Sequence, residues 1–589
     1  MIKRPAFVRA LILVAGLLFS CAIVTAQPSR FTTNPPLGMG LTGIDDWSAA
    51  QPFIDVMKTA RPWIGHLPGK WGGWDHAALD AAGYLDADGW PTAIPPEVTG
   101  ISTLFLTDLP PEATTMRGRY RLTFQGEGTI ELIGRAQNIK RGRGQIWFDF
   151  TPGEGQVQLT ITATDPRKVG NPVRDIVVVK VTDIAAHDAG ALFNPDWLAR
   201  LQGLRLVRFM DWMKTNNSTQ SQWSGRPEPG DYTYARIGAP VEVMLSLANE
   251  LSADPWFTLP HLADDAYIRA FAQMVESGLD PGLKAHVELS NEVWNWQFDQ
   301  ARWAEAQGQA RWGREHAWVQ FYALRAMQMA RIWDEVFGDS APNRLVKVLT
   351  TQTGWLGLEQ DILNAPLWLA ENPGQNRPPA EVFDAYAVTG YFGGHLGSDP
   401  LAHVVKDWIA QSHFAAETAA NAMGLTGEPR TLYLAEHAYD LAIANAAQEL
   451  RDGSVTGTGG DTLDTLLGRV LPYHAEAARA HGLDLIMYEG GTHVVGQGDW
   501  VHDPDLTAFF IRLNYAPEMG DLYRDLLDGW RQAGGTLFTA FVEVATPGKW
   551  GSWGALRHLG DDNPRWAALS GFNTGGEAWW EDRRKRPAQ

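Results

Sequence analysis

The chain of 589 residues has a single cysteine, Cys21. That residue lies inside an apolar N-terminal segment, so a chain trimmed after the segment has no thiol, no disulfide and no Cys-built metal cage. Basic residues are also in the minority, 49 Lys and Arg against 68 Asp and Glu. A net charge of −19 argues against nucleic acid or anionic membrane as the main partner, and a neutral ligand fits better. No His or Cys spacing suggests a catalytic metal, and no cofactor is expected. The Gly-rich phosphate fingerprint that doubly wound sheets often carry is absent as well, which leaves that fold as the runner-up.

What the chain has in excess is tryptophan, 26 in all. A flat indole face with a polar N–H suits both a core and the apolar face of a sugar ring. The N-terminus reads as a targeting segment. Lys3, Arg4 and Arg9 precede the apolar run Ala10 to Val24, and Val24-Thr25-Ala26 makes a small-residue cleavage signal before Gln27. Export to the periplasm or beyond the cell follows, with no membrane span in the mature chain. Leu18-Phe19-Ser20-Cys21 is a poorer match to a lipoprotein signal, which leaves anchoring through Cys21 as the alternative.

Periodicity then divides the chain. After the segment 1–26, residues 27–92 supply a first strand near Met39 and an amphipathic helix over Gln51 to Trp63. Residues 93–185 alternate with period two, as in Tyr120, Leu122 and Phe124, and read as an inserted all-β sandwich-like module. Trp147 and Tyr120 are expected on its surface, where they would bind carbohydrate or simply close one end of a cleft. From 186 to 589 helices and strands alternate, with strands over Leu204 to Met210, Trp256 to Leu259, Ala285 to Leu289, Leu345 to Leu349, Ala385 to Thr389, Leu483 to Tyr488 and Thr536 to Val542. Helices are expected over Tyr267 to Glu276, Ala301 to Phe337 and Leu466 to His481, with a long insertion around 396–465. Eight strands with intervening helices predict an α/β fold, a (β/α)8 TIM barrel.

Active sites of such barrels lie at the carboxyl ends of the strands. Two strands there end at glutamates: His286-Val287-Glu288-Leu289-Ser290-Asn291-Glu292-Val293-Trp294, and Leu485-Ile486-Met487-Tyr488-Glu489-Gly490-Gly491. Two carboxyls facing one another are what hydrolysis of a glycosidic bond needs, one protonated and one ionised. Held ~5 Å apart, their mutual repulsion keeps one protonated near neutral pH. Other strand ends carry Arg208, His261, Tyr391 and, after the eighth strand, Trp550 and Trp553. Glu436 also ends an apolar run and is the rival to Glu489, His395 reads as a loop residue, and Asp264-Asp265 reads as a solvated loop or a calcium ligand pair.

In that order, Arg, His, Asn-Glu, Tyr, Glu and Trp at successive strand ends resemble the retaining glycoside hydrolases of clan A, over roughly residues 37–90 and 190–570. The resemblance implies Glu292 as acid/base and Glu489 as nucleophile. It further implies that Asn291 binds the sugar 2-hydroxyl, that Arg208 and Tyr391 hold Glu489, and that His261 with Trp550 or Trp553 lines the subsite at the cleaved bond. Trp294 is added as a substrate-binding aromatic beside Glu292. The expectation is an exported glycosidase acting on a neutral β-linked poly- or oligosaccharide. The alternative is a non-catalytic polysaccharide-binding protein on a barrel scaffold.

Overall fold

A computed structural model describes residues 35–574. The targeting segment 1–26 and Cys21 lie outside the described residues. Eight parallel strands close into a barrel in strict chain order. They are β1 (Leu37–Gly40), β2 (Leu206–Arg208), β3 (Asp254–Leu259), β4 (Ala285–Leu289), β5 (Leu345–Thr350), β6 (Ala385–Phe392), β7 (Asp484–Thr492) and β8 (Leu537–Ala540). Parallel strands covered by helices are buried on both faces, which is why they read as near-continuous apolar runs. The barrel is therefore a (β/α)8 fold, and all eight strands coincide with the runs seen in the sequence. Its interior is filled by a separate apolar layer that includes Leu206, Trp256, Val348, Ala387, Ile486 and Tyr488.

Closure brings β1 very near the end of β8. A Cβ on Gly40 would stand 1.8 Å from the Phe541 carbonyl oxygen, so only glycine fits there. Outer helices start where the sequence signals them. Asp264 caps Asp265–Gly278 by accepting from the Tyr267 N–H, and Asp265 pairs with Arg325. Among the described residues no helix is long and apolar enough to cross a membrane, and no group of three metal-ligating side chains is found.

The β module has two sheets. One orders Arg174–Lys180, Gly118–Gln125, Gln145–Phe150 and Gln137–Gly142; the other orders Gly73–Trp74, Ile64–His66, Gly100–Phe105, Val157–Thr164 and Gly128–Gly134. Phe105 of one sheet meets Phe148 of the other at 6.4 Å. The second sheet thus reaches back to Ile64, ahead of residue 93.

Three expectations change. Gln51 to Trp63 is not an amphipathic helix: only Val56–Thr59 turns, as a 3-10 helix, between Pro52 and Pro62. Asp55 instead bridges to Val179 and accepts from the Val178 N–H at 2.9 Å, so pairing with the module overrides local pattern. Ala301 to Phe337 is two helices, Asp299–Trp312 and Trp318–Phe337, broken at Gly313 in the left-handed region. Tyr120 is core rather than surface: 2% exposed, it stacks on Phe148 and donates to the Met116 carbonyl at 2.7 Å. Trp147 alone stays partly exposed on the outer face, beneath Arg119.

Candidate active site

Arg208, the last residue of β2, organises the mouth of the barrel. Its Nη1 donates to Glu489 Oε1 at 2.7 Å, and its Nη2 donates to Glu288 Oε2 and to Asn291 Oδ1, each at 2.9 Å. Both Arg208 and Glu288 are fully buried. Burial works against the guanidinium charge, but the two carboxylates outweigh it and hold Arg208 cationic. The guanidinium is flanked by the rings of Trp256 and Tyr488, each 5.2 Å away. Trp256 also donates its indole N–H to Glu288 at 3.0 Å.

Glu489 receives a second donor, the Tyr391 hydroxyl, at 3.0 Å. Burial raises its carboxyl, while Arg208 and the Tyr391 hydrogen bond oppose the rise. Burial and the charge of Glu489 keep the Tyr391 hydroxyl protonated as that donor. Glu292 has only neutral hydrogen-bond donors. Asn295 donates to its Oε2 at 2.9 Å and the Tyr488 hydroxyl to its Oε1 at 3.3 Å. Burial first and the charge of Glu489 second push Glu292 up to about 8. The two buried carboxyls thus differ in company: Glu489 has a guanidinium and a hydroxyl opposing the rise, whereas Glu292 has neutral donors and is held protonated at neutral pH.

Local backbone explains how these side chains arrive. Past β4, Ser290 and Glu292 both sit in the left-handed region, at φ 59° and 42°. The turn they make swings Glu292 over the barrel end, and the Ser290 N–H ties it to the Leu259 carbonyl of β3 at 2.7 Å. In β7 the pairing with β6 passes from Met487 straight to Glu489, leaving Tyr488 as a bulge. Alternation alone would send Tyr488 and Glu489 to opposite faces. The bulge re-aims the strand so that Tyr488 reaches Glu292 while Glu489 reaches Arg208.

The other expected residues separate into groups. Asn291 is central, its Oδ1 held by Arg208 and its Nδ2 donating to Asn216 at 3.1 Å, which leaves one amide N–H for a ligand. Trp553 is half-buried beside Tyr391 and Phe541, at 6.2 and 5.6 Å between rings. His261 is buried against Trp303 and makes no hydrogen bond to either glutamate; burial lowers it to about 4, so its ring is neutral. Trp294 is partly buried, its indole N–H enclosed without a partner. Trp550 is 67% exposed, covered only by Lys549 and His502. His395 sits in a short turn with both ring nitrogens enclosed and unpartnered. Glu436 lies exposed on the outer helix Gly427–His437, far in topology from any strand end.

Several participants were not singled out from the sequence: Glu288, Tyr488, Asn295, Asn216, Gln300 and Asp211. Glu288 left a signal, a charged residue within an apolar strand. Gln300 donates to both Asn216 and the Asn291 carbonyl, at 2.9 and 2.8 Å. Asp211 is pushed up to about 7, chiefly by burial and then by the charge of Glu489.

No family model matches the chain, and no curated protein matches it. Among solved structures it is similar to an exo-β-1,4-mannosidase from Opitutaceae bacterium strain TAV5, at 12% identity and a TM-score of 0.34, over 67% of this chain and 57% of that one. It is also similar to fungal β-1,4-galactanases, at 10% identity and 0.33 over 66% and 96% of the two chains. A third is the β-glucosidase of Thermotoga maritima, at 10% identity and 0.32 over 64% and 85%.

Proposed function

We propose that this protein is an exported β-glycoside hydrolase of the retaining type, acting on a neutral oligo- or polysaccharide. The observation that carries the reading is the unequal company of two buried carboxyls. Glu489 has a guanidinium and a phenol on its oxygens, whereas Glu292 has an amide and a phenol and is pushed up to about 8. In the first step Glu489 attacks the anomeric carbon and a glycosyl ester forms. The bond to the leaving oxygen breaks, and that oxygen takes the proton of Glu292. In the second step ionised Glu292 removes a proton from water, whose oxygen displaces Glu489.

Arg208 and Tyr391 fix the attacking carboxylate, and their grip on it loosens as its charge is spent on the new bond. Asn291 offers its free amide N–H to the sugar ring, and Trp553 offers a face beside Tyr391. Export rests on the N-terminal segment, and N-terminal sequencing of the mature protein should begin at Gln27.

The test is replacement of each glutamate by Gln, assayed on β-glucans, mannans, xylans and galactans with reducing-end detection. Glu292→Gln should lower kcat by ~10²–10⁴-fold. Glu489→Gln should abolish turnover, and proton NMR of the first product formed should show retained anomeric configuration. Near-normal turnover in both variants would remove the proposal, and an inverted first product would remove its retaining step.

A further inference from the structure

Two exposed tryptophans at the barrel mouth share one buried neighbour, Trp318. Trp296 is 42% exposed and Trp355 51% exposed. Trp296 lies four positions after Glu292 in the loop that follows β4, and Trp355 lies in the loop that follows β5, its neighbour in the barrel. The helix Trp318–Phe337 runs down to β5, so it begins at the same end of the barrel. Its first residue, Trp318, is buried and backs both exposed rings, 5.2 Å from Trp296 and 6.0 Å from Trp355.

Two indoles backed by one buried ring and left open to water forfeit the gain of burying them, which marks such a patch as a binding surface. The patch is also held rigid. Asn295 N–H bonds back to the Glu292 carbonyl at 2.8 Å, the Asn295 amide grips the Glu292 carboxyl, and the Phe298 N–H bonds to the Asn295 carbonyl at 3.1 Å. Trp355 N–H bonds to the Gln352 carbonyl at 3.3 Å, and Leu358 N–H to the Trp355 carbonyl at 3.2 Å. A rigid pair of flat apolar faces suits the C–H faces of neutral sugar rings in a chain.

We propose that Trp296 and Trp355 form a binding site for a saccharide chain on the Glu292 side of the cleft. On the hydrolase reading, on which this side assignment rests, the chain seated there is the leaving group, because Glu292 protonates the oxygen that joins it to the cleaved sugar. The opposite wall, Tyr391 with Trp553, belongs to the sugar that Glu489 attacks. The substrate therefore extends more than one sugar unit past the cleaved bond.

The experiment uses the full chain with Glu489→Gln to stop turnover. Calorimetry measures binding of β-linked hexasaccharides of glucose, mannose, xylose and galactose, and of methyl β-glycosides of the same sugars. Trp296→Ala and Trp355→Ala should each weaken the best hexasaccharide about tenfold and leave the methyl glycosides unchanged. Phe414→Ala, at a still more open ring (73% exposed) on the outer helix Leu401–Ala422, is the control and should change nothing. The site is refuted if no hexasaccharide binds, if the double Trp variant binds it as tightly as the parent, or if methyl glycosides are weakened equally. Hexasaccharide binding that depends on both tryptophans in a chain that hydrolyses none of the four polymers would support the site and overturn the hydrolase reading alone.

Discussion

Glu292 and Glu489 are the same residue type, and what separates them is the set of atoms on their oxygens. Ionising Glu292 takes a charge out of water beside Glu489, so its folded pKa of about 8 lies well above the ordinary 4.5. A raised carboxyl favours the folded state below about 4.5, and that stability is lost as pH rises through about 8. Glu292→Gln should accordingly melt higher than the parent at pH 9 and little differently at pH 4, and thermal scans at the two values check it. The same titration predicts an alkaline limb near pH 8 in kcat/KM, absent from Glu292→Gln on an activated aryl glycoside whose leaving group needs no proton. Glu288 shares Arg208 with Glu489. Glu288→Gln should leave the guanidinium undivided for Glu489, moving the acid limb of kcat/KM to lower pH; an unmoved limb would mean that the sharing has no catalytic consequence. Ser290 holds a left-handed backbone and a buried hydroxyl without a partner. Ser290→Gly should therefore stabilise the fold by about 1 kcal/mol, read from denaturant midpoints.

At the scale of elements, the eight strands were legible because parallel barrel strands are apolar along their length and stop at polar turn residues. What they lacked in the sequence was register. The bulge at Tyr488 carries no signature beyond the glycines that follow it, and it brings both adjacent side chains, Tyr488 and Glu489, to the site. Those glycines are constrained by packing: a Cβ on Gly490 would stand 2.5 Å from the Met487 sulfur and 2.8 Å from the Phe538 ring. Gly490→Ala should cost ~1–3 kcal/mol by overpacking and should also lower kcat, since relief requires β7 to move. A stability loss without a kcat effect would show that the bulge tolerates displacement. The expected helix at Gln51 to Trp63 failed for the opposite reason, because its periodicity was real but Asp55 was claimed by a strand of the module.

At the scale of the molecule, the segment leading into the module and the loop after β2 are joined through Tyr232, which is 1% exposed. Its ring stacks on Trp63 at 5.1 Å, and its hydroxyl accepts from the Trp63 N–H at 3.2 Å. Tyr232→Ala should cost ~3–5 kcal/mol, the range for a large aromatic removed from a core. Because the join is shared, tryptophan fluorescence and far-ultraviolet dichroism should still report one transition; two separated transitions would mean that module and barrel melt independently.

The sequence by itself determined the fold class and half of the candidate site. Apolar periodicity requires strands and helices that bury it, and strand ends in such a barrel must converge, so Arg208, Asn291, Glu292, Tyr391 and Glu489 could be named from their strand-end positions together with the family resemblance those positions carry. The tertiary structure alone decided the electrostatics. Glu288 lies one turn of alternation inside β4 and is separated from Arg208 by 80 residues, and nothing local shows that they share a guanidinium. It also decided that Glu436 lies outside the barrel and that Trp296, Trp318 and Trp355 form one surface. Charge and stacking depend on distance through space, which a linear pattern does not encode.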